Sequence, residues 1–321
     1  MKYLVTGGAG YIGSTVATML IEAGHEVVVL DDCSRNSESF VPSAATFVKK
    51  RVQDAAEVLD GSFDGVLHFA GLIAAGESVT HPERFWESNA TGTLALLEAM
   101  RQHQVRNLVF SSTAGVYGNP ASVPITEDAP TAPVNPYSYT KLSSDMAIAS
   151  ECEAHGLAAI SLRYFNVVGA YQDQQGVWHG ENHDPETHLI PIALEVAAGT
   201  RDKLAIFGDD YSTPDGTCIR DYIHVADLAE AHLLALDHVQ DSEHQIFNLG
   251  SGTGYSNAEV AAAVARITGK EVPVVYTERR PGDPSELIAA SDKAKTVLGW
   301  KPKRDSLDRM VEDAWAYFTG H

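Results

Sequence analysis

Positive charge is scarce in this chain. Lys and Arg number 23 in 321 residues against 43 Asp and Glu, a formal net charge of -20. Such a surface repels nucleic-acid phosphates and anionic lipid, which excludes partners bound through a phosphate backbone. It also repels any phosphorylated small molecule, so a diphosphate site here must carry its own local cations. Cysteine is equally sparse: Cys33, Cys152 and Cys218 are odd in number and scattered, and imply neither a disulfide framework nor a zinc motif. Apolar runs long enough to cross a bilayer are missing, and the first residues, MKYLVTGGAG, lead into a strand pattern rather than a signal peptide. These absences predict a cytoplasmic protein with no membrane partner. No internal repeat or low-complexity segment stands out.

What is present is a globular composition, 44% hydrophobic and 21% charged, sufficient for one large or two closely joined domains. The first half alternates strand and helix signals, as a parallel sheet covered on both faces does. Strands are predicted at Lys2–Thr6, Glu26–Asp31, Thr46–Lys49, Gly65–Phe69, Asn107–Ser112 and Ala158–Tyr164, and helices at Ile12–Ala23, Pro82–Gln104 and Ser138–His155. The stretch Val167–Thr187 reads as a long irregular loop. Beyond it come helices at Leu189–Ala198, Val225–Val239 and Asn257–Thr268, with a strand at Gln245–Asn248. The fold class expected is α/β: a Rossmann-type doubly wound parallel sheet over 1–166, to which part of 221–250 returns. A smaller C-terminal α/β substrate-binding domain follows over 167–321.

The string Thr6-Gly7-Gly8-Ala9-Gly10-Tyr11-Ile12-Gly13 follows the first strand and opens the first helix. Gly7 permits the tight turn, Gly10 lets the backbone approach a diphosphate, and Gly13 allows close helix–strand packing. The helix N-terminus offers free N–H groups to phosphates. Glycine spacing alone is a weak signal. The strand–turn–helix context, and Asp31 at the end of the second strand, make it a dinucleotide site. Asp31 suits ribose hydroxyls and repels a 2′-phosphate, which favours NAD over NADP.

Tyr137-Ser138-Tyr139-Thr140-Lys141 heads a helix pattern. Residues four apart share a helix face, so Tyr137 and Lys141 address one site while Tyr139 points elsewhere. Bringing a phenol from about 10 to about 7 takes roughly 4 kcal/mol. An ammonium about 4–5 Å away supplies a few kcal/mol at an effective dielectric of about 20, and a positive nicotinamide ring adds to it. The pair is thus expected to act as a general base tuned to neutral pH. Ser111-Ser112-Thr113 end the preceding strand at the sheet edge where ligands bind, and Thr113 is placed to hold a substrate hydroxyl.

Taken together, TGGAGYIGS, HFAGLIAAGES, SNATGT, FSSTAGVYG, NPYSYTK, LRYFNVVGA, LAIFGDDYSTPDGTCIRDYIHVADLA, NLGSGTGYS and RRPGD resemble the extended short-chain dehydrogenase/reductase family, and within it the UDP-galactose 4-epimerases. The resemblance covers nearly the whole chain, and its later blocks are the specific ones. It implies NAD as a tightly held cofactor, a UDP-sugar as substrate, a homodimer, and inversion at C4 through a transient 4-keto sugar with no net redox change. Tyr137, Lys141 and Thr113 would be catalytic. Gly7, Gly10, Tyr11, Ile12, Gly13, Asp31, Phe69, Ala70, Gly71, Asn89, Ser111 and Tyr164 would line the cofactor. Asn166, His188, Leu189, Ala205, Phe207, Arg220, Arg280, Asp283 and Leu287 would line the substrate, with the two arginines answering the charge problem.

Four positions depart from the family pattern. Ile73 replaces a lysine near the cofactor, and Arg51 stands where an aspartate often meets the adenine. Thr113 replaces a serine, and Leu287 is smaller than the tyrosine of the strictest UDP-hexose enzymes, which implies tolerance for N-acetylated sugars. UDP-GlcNAc or UDP-pentose epimerisation therefore stays open. A nucleotide-sugar 4,6-dehydratase is disfavoured because Ala114-Gly115 stand where its relatives carry Asp-Glu. A catalytically dead NAD sensor has no need of tyrosine, lysine and hydroxyl together. His179, His183 and His188 with Glu181 and Asp184 fit no helix face, and are expected to be solvated loop residues without a metal.

Overall fold

In the computed structural model the described residues are 1–183, 185–239, 243–280 and 282–320. In chain order the elements are β1 (Lys2–Thr6), α1 (Tyr11–Glu22), β2 (Glu26–Asp31), β3 (Thr46–Lys49), β4 (Gly65–His68), α2 (Ala75–Thr80), α3 (Pro82–Phe85), α4 (Gly92–Gln102), β5 (Asn107–Thr113), α5 (Pro136–His155) and β6 (Ala158–Tyr164). They continue as β7 (Asn166–Val168), β8 (Ala170–Gln172), β9 (Trp178–Gly180), α6 (Leu189–Ala197), β10 (Leu204–Phe207), β11 (Ile219–His224), α7 (Val225–His238), β12 (His244–Leu249) and β13 (Gly254–Ser256). Last come α8 (Asn257–Thr268), β14 (Val274–Thr277), β15 (Glu286–Leu287), α9 (Asp292–Val297) and α10 (Leu307–Gly320). Among the described residues no helix is long and apolar enough to cross a membrane.

Seven strands make the main sheet in the order β12-β6-β5-β4-β1-β2-β3, every pair parallel. Strands covered on both faces need apolar side chains on both, and β4 and β6 are buried at every residue. One face is packed by α1 and α7 through Val16, Leu20, Leu228 and Ala235, and the other by α4 and α5 through Leu96, Met100 and Ile148. The strand order reverses between β1 and β4, so the carboxyl ends of those strands diverge and leave a crevice.

Helix α5, which carries the Tyr137–Lys141 pair, is defined at both ends by local chemistry. The Asn135 side chain accepts the Ser138 N–H, Pro136 occupies the first helical position, and Gly156 closes the helix in the left-handed conformation. A third apolar cluster, formed by α6, α8, α10, β10 and β14, lies beside the sheet.

Two expectations need correction. Pro82–Gln104 is not one regular helix: α3 and α4 flank a π-helical turn over Trp86–Thr91. The wider turn aims Asn89 inward, in line with the buried Phe85 and Thr93. Val167–Thr187 is not irregular throughout. It holds β7, which pairs with β11, and the antiparallel ribbon of β8 and β9, too short to show a period-two pattern.

Candidate active site

The chain leaves β1 through Gly7, whose positive φ of 73° brings it against the segment after β4. A Cβ there would lie 2.5 Å from the Ala70 nitrogen, and one on Gly13 would overlap the Gly7 carbonyl. Gly10 caps α1 with no side-chain acceptor, so the first amides of the helix face outward with only the backbone around them. Asp31 accepts from the Ala9 N–H at 3.0 Å and the Cys33 N–H at 2.8 Å, and burial pushes its carboxyl up. Tyr11 and Ile12 reach this site only through their amides. The Tyr11 hydroxyl donates to the Gly169 carbonyl at 2.6 Å, and Ile12 packs on the core beneath the sheet. A cradle that a Cβ would fill, a bare helix N-terminus and a carboxylate at the end of β2 fit a dinucleotide. Arg51 is tied to Glu87 at 2.9 Å, and Ile73 is exposed.

Beyond β4, Phe69 packs at a tilt against His232 with ring centroids 4.9 Å apart, and Gly71 leaves room for both Asn89 and Lys141. Asn89 clamps Leu72, accepting its N–H at 2.7 Å and donating to its carbonyl at 3.0 Å. Lys141, 3% exposed, donates to the Ser111 carbonyl at 2.9 Å. The Tyr164 hydroxyl bonds the Ser111 hydroxyl, and Tyr137 is hydrogen-bonded to Thr113. The structure thus brings Tyr137, Lys141, Thr113, Ser111, Tyr164, Asn89 and Gly71 to one edge of the sheet.

The acidified phenol is not a property of the protein alone. Burial pushes Tyr137 above its ordinary value, and the Thr113 hydrogen bond only partly offsets this. Burial likewise lowers Lys141 to about 8, against the opposing pull of Asp145. Spacing put Lys141 on the helix of Tyr137, but could not show its ammonium engaged by the Ser111 carbonyl, nor how dry the site is.

Two supporting carboxylates escaped the sequence reading. Asp145 accepts from the Ser112 hydroxyl at 3.0 Å and from Arg163 at 2.9 Å, while Arg163 reaches the Tyr117 hydroxyl at 3.1 Å. The signal existed, since Asp145 is one helical turn beyond Lys141. Asp221 is buried with no cationic partner among the described residues, and accepts from the N–H groups of Ser251, Gly252 and Ala289 and from the Ser251 hydroxyl, at 2.8–3.0 Å. It ties the segment after β12 to the one after β15, and no local pattern announces it.

On the side facing the expected nucleotide, Asn166 in β7 donates to the Asp221 carbonyl at 3.0 Å. Arg220 in β11 lies 3.4 Å from Asp283 and stands in register with Leu287 of β15. Arg280 lies over the Phe207 ring at 3.9 Å, next to Ala205 on β10. His188 and Leu189 start α6. Leu287 packs on a cluster containing Ala114 and Phe165, which links this group to the end of β5. A Cβ on Gly115 would come 2.6 Å from the Ser138 hydroxyl, which would have to turn aside to admit a side chain there.

The loop histidines differ from expectation. Asp184 lies outside the described residues, and His179 pairs with Asp173 at 3.1 Å. His183 and His188 are not simply solvated: they converge on Glu181 and Glu186, whose side chains are only 7% and 6% exposed. The loop folds back over itself between β9 and α6, a closure that helical spacing does not reveal.

Known proteins share this architecture. Residues 3–250 match the NAD dependent epimerase/dehydratase family. A UDP-glucose 4-epimerase of Corynebacterium glutamicum is 53% identical over 99% of this chain and 95% of its own. The crystal structure of UDP-glucose 4-epimerase from Brucella ovis in complex with NAD superposes with a TM-score of 0.94 at 42% identity, covering 99% of this chain and 98% of that one. That of UDP-glucose-4-epimerase from Stenotrophomonas maltophila, with bound NAD and formylated UDP-arabinopyranose, gives 0.94 at 40% identity over 100% and 98%. With a glycine turn, a parallel sheet reversing at β1 and β4, and a tyrosine–lysine pair at its edge, the chain belongs to the NAD dependent epimerase/dehydratase family.

Proposed function

We propose that this chain is a UDP-sugar 4-epimerase that interconverts UDP-galactose and UDP-glucose. The observation that carries this is Tyr137, Thr113 and Lys141 on one dry edge of the sheet beside the glycine turn. NAD, held by the turn, Asp31 and the segment Phe69–Gly71, supplies a reversible two-electron oxidation at C4. Tyr137 takes the proton of the 4-hydroxyl, which Thr113 holds and orients. Lys141 keeps its proton and favours the phenolate form of Tyr137 that accepts the sugar proton. Arg220, Arg280 and Asn166 anchor the diphosphate, and Asp283 holds the nucleoside together with His188, Leu189, Ala205 and Phe207, these four largely through backbone or packing. The 4-keto sugar would turn over while its diphosphate stays held, so that the hydride would come back to the opposite face of C4 and Tyr137 would return the proton to the 4-oxygen.

Leu287 deepens the reading. A leucine in register with Arg220 leaves more space beside the sugar than a tyrosine would, so UDP-GlcNAc is accepted as well. The relative solved with formylated UDP-arabinopyranose keeps pentoses in the panel. Ala114-Gly115, which offer no carboxylate for eliminating water, stand against a dehydratase.

We assign cofactor binding to 1–166 with the returning part of 221–250, and sugar nucleotide binding to the remainder of 167–321. The assembly is a homodimer through α4 and α5. Along α5, Tyr139 and Met146 are 48% and 64% exposed on one stripe, and Leu94 on neighbouring α4 is 56% exposed. Three free cysteines suit a reducing cytoplasm.

The test is a purified sample denatured to identify the released nucleotide, then a native sample given UDP-galactose and UDP-GlcNAc. NAD release and appearance of UDP-glucose are expected. NAD release without conversion would establish the sensor reading instead.

A further inference from the structure

Between β9 and α6, eight residues carry Glu181, His183, Glu186 and His188, and one ligand atom from each lies within 4.8 Å of all the others. His183 Nδ1 is 3.1 Å from a Glu181 oxygen and 3.8 Å from a Glu186 oxygen, and His188 Nδ1 is 3.8 Å from Glu186 and in contact with Glu181. Metal–ligand bonds of about 2.0–2.2 Å give tetrahedral edges of about 3.3–3.6 Å; the separations of 3.1 and 3.8 Å bracket that range, while His188 and Glu181, in direct contact, must part to admit an ion. Both imidazoles turn the same nitrogen inward, with ring centroids 5.5 Å apart and planes at 70°.

Charge leads to the same conclusion. Two carboxylates only 7% and 6% exposed require compensation, and among the described residues no lysine or arginine pairs with either. Burial opposes protonation of both imidazoles, but Glu181 and Glu186 outweigh it and raise both, His183 to about 9, so the rings can carry that charge when no ion is bound. A divalent ion balances both carboxylates while the imidazoles stay neutral and act as ligands. The ligands are also held in advance. A Glu186 oxygen accepts the N–H groups of Thr187 at 2.6 Å and His188 at 2.8 Å, the outer contacts that orient a ligating carboxylate. At its other end the loop springs from the β8–β9 ribbon, where Gly180 lies against the Tyr317 ring.

We propose that Glu181, His183, Glu186 and His188 form a site for one divalent transition-metal ion, zinc in the first instance. With four protein ligands it is a structural site that staples the loop in front of α6 and takes no part in the redox step. The proposal does not depend on the sugar chemistry, and binding is read separately from turnover.

The NAD-loaded protein is treated with a chelator and titrated with Co(II). One equivalent per chain, giving the visible bands of a four-coordinate centre that Zn(II) abolishes, is the expected result. His183→Ala and Glu186→Gln should each lower Co(II) affinity by more than the roughly 10–100-fold that loss of an outer contact costs. Normal circular dichroism shows that each variant is folded. A crystal of the unaltered protein grown with Zn(II) needs no variant and should show anomalous density at the zinc edge among the four side chains. Absence of that density, or Co(II) binding unchanged in both variants, overturns the site and leaves only an ion-pair network.

Discussion

Tyr137 sits where burial opposes its ionisation, hydrogen-bonded to Thr113, with Lys141 one turn away and engaged by Ser111. Its proton therefore leaves only when other charge is brought in, which couples the base to an occupied cofactor site. Replacing Tyr137 by Phe removes the proton acceptor while sparing the glycine turn. Turnover of UDP-galactose should fall by about 10²–10⁴-fold, as expected for loss of a general base, with NAD still released on denaturation. Near-normal turnover would remove Tyr137 from this role. Asp145 acts at the same scale but on stability. Asp145→Asn keeps the shape of the side chain and leaves the buried Arg163 guanidinium without its counter-charge. A loss of about 3–5 kcal/mol in urea unfolding is expected. Tyr137 and Lys141 were legible from spacing. Asp145 and Arg163 were not paired in advance, because they meet only when α5 packs on β6.

At the scale of elements, the junction of β1 and α1 tolerates almost no added volume. Gly13→Ala would drive a methyl group into the Gly7 carbonyl, which must shift together with the turn. Loss of co-purifying NAD, measured by absorbance after denaturation, is the expected outcome, with the rest of the fold retained by circular dichroism. An Ala variant that holds NAD as the parent does would show that close packing here is not what shapes the cradle. This junction was readable because each glycine's purpose is local. The π-helical turn was not, since a run of helix-forming residues looks the same whether a turn holds four residues or five. Strands β10, β11, β13, β14 and β15 were not predicted either, although each is within a residue or two of β3 and β4 in length; they lie outside the regular β–α alternation that located those strands.

For the whole molecule, two buried imidazoles couple the fold to pH. His68 is bonded to Thr6 and Thr93 and lowered to about 3, and His232, between Phe69 and Tyr164, is lowered to about 4, both by burial. A depressed folded value means that the unfolded chain takes up the proton first. This stabilisation is complete above the ordinary value of 6.5 and is lost as pH falls from there towards 4 and 3. Each group should cost about 2 kcal/mol between pH 6.5 and 5, read as a lower urea midpoint. His232→Phe should flatten that dependence, and an unaltered slope would exclude His232 as a source. Association belongs to the same scale. Leu94→Glu with Met146→Glu places charge on the exposed apolar stripe of α4 and α5, and should shift sedimentation from dimer to monomer. A parent protein that already sediments as a monomer would reject the dimer.

Alone, the amino-acid order determined the alternating β–α rhythm, the glycine turn, Asp31 at the end of β2 and the Tyr137–Lys141 face. All of these rest on contacts within a few residues, so local pattern suffices. Tertiary structure decided the rest. It set the direction in which burial moves the Tyr137 phenol, the Asp145–Arg163 support, the Asp221 tie between distant loops and the convergence of Glu181, His183, Glu186 and His188. Those features depend on which surfaces exclude water and which segments meet after folding, and neither is written in the spacing of residues along the chain.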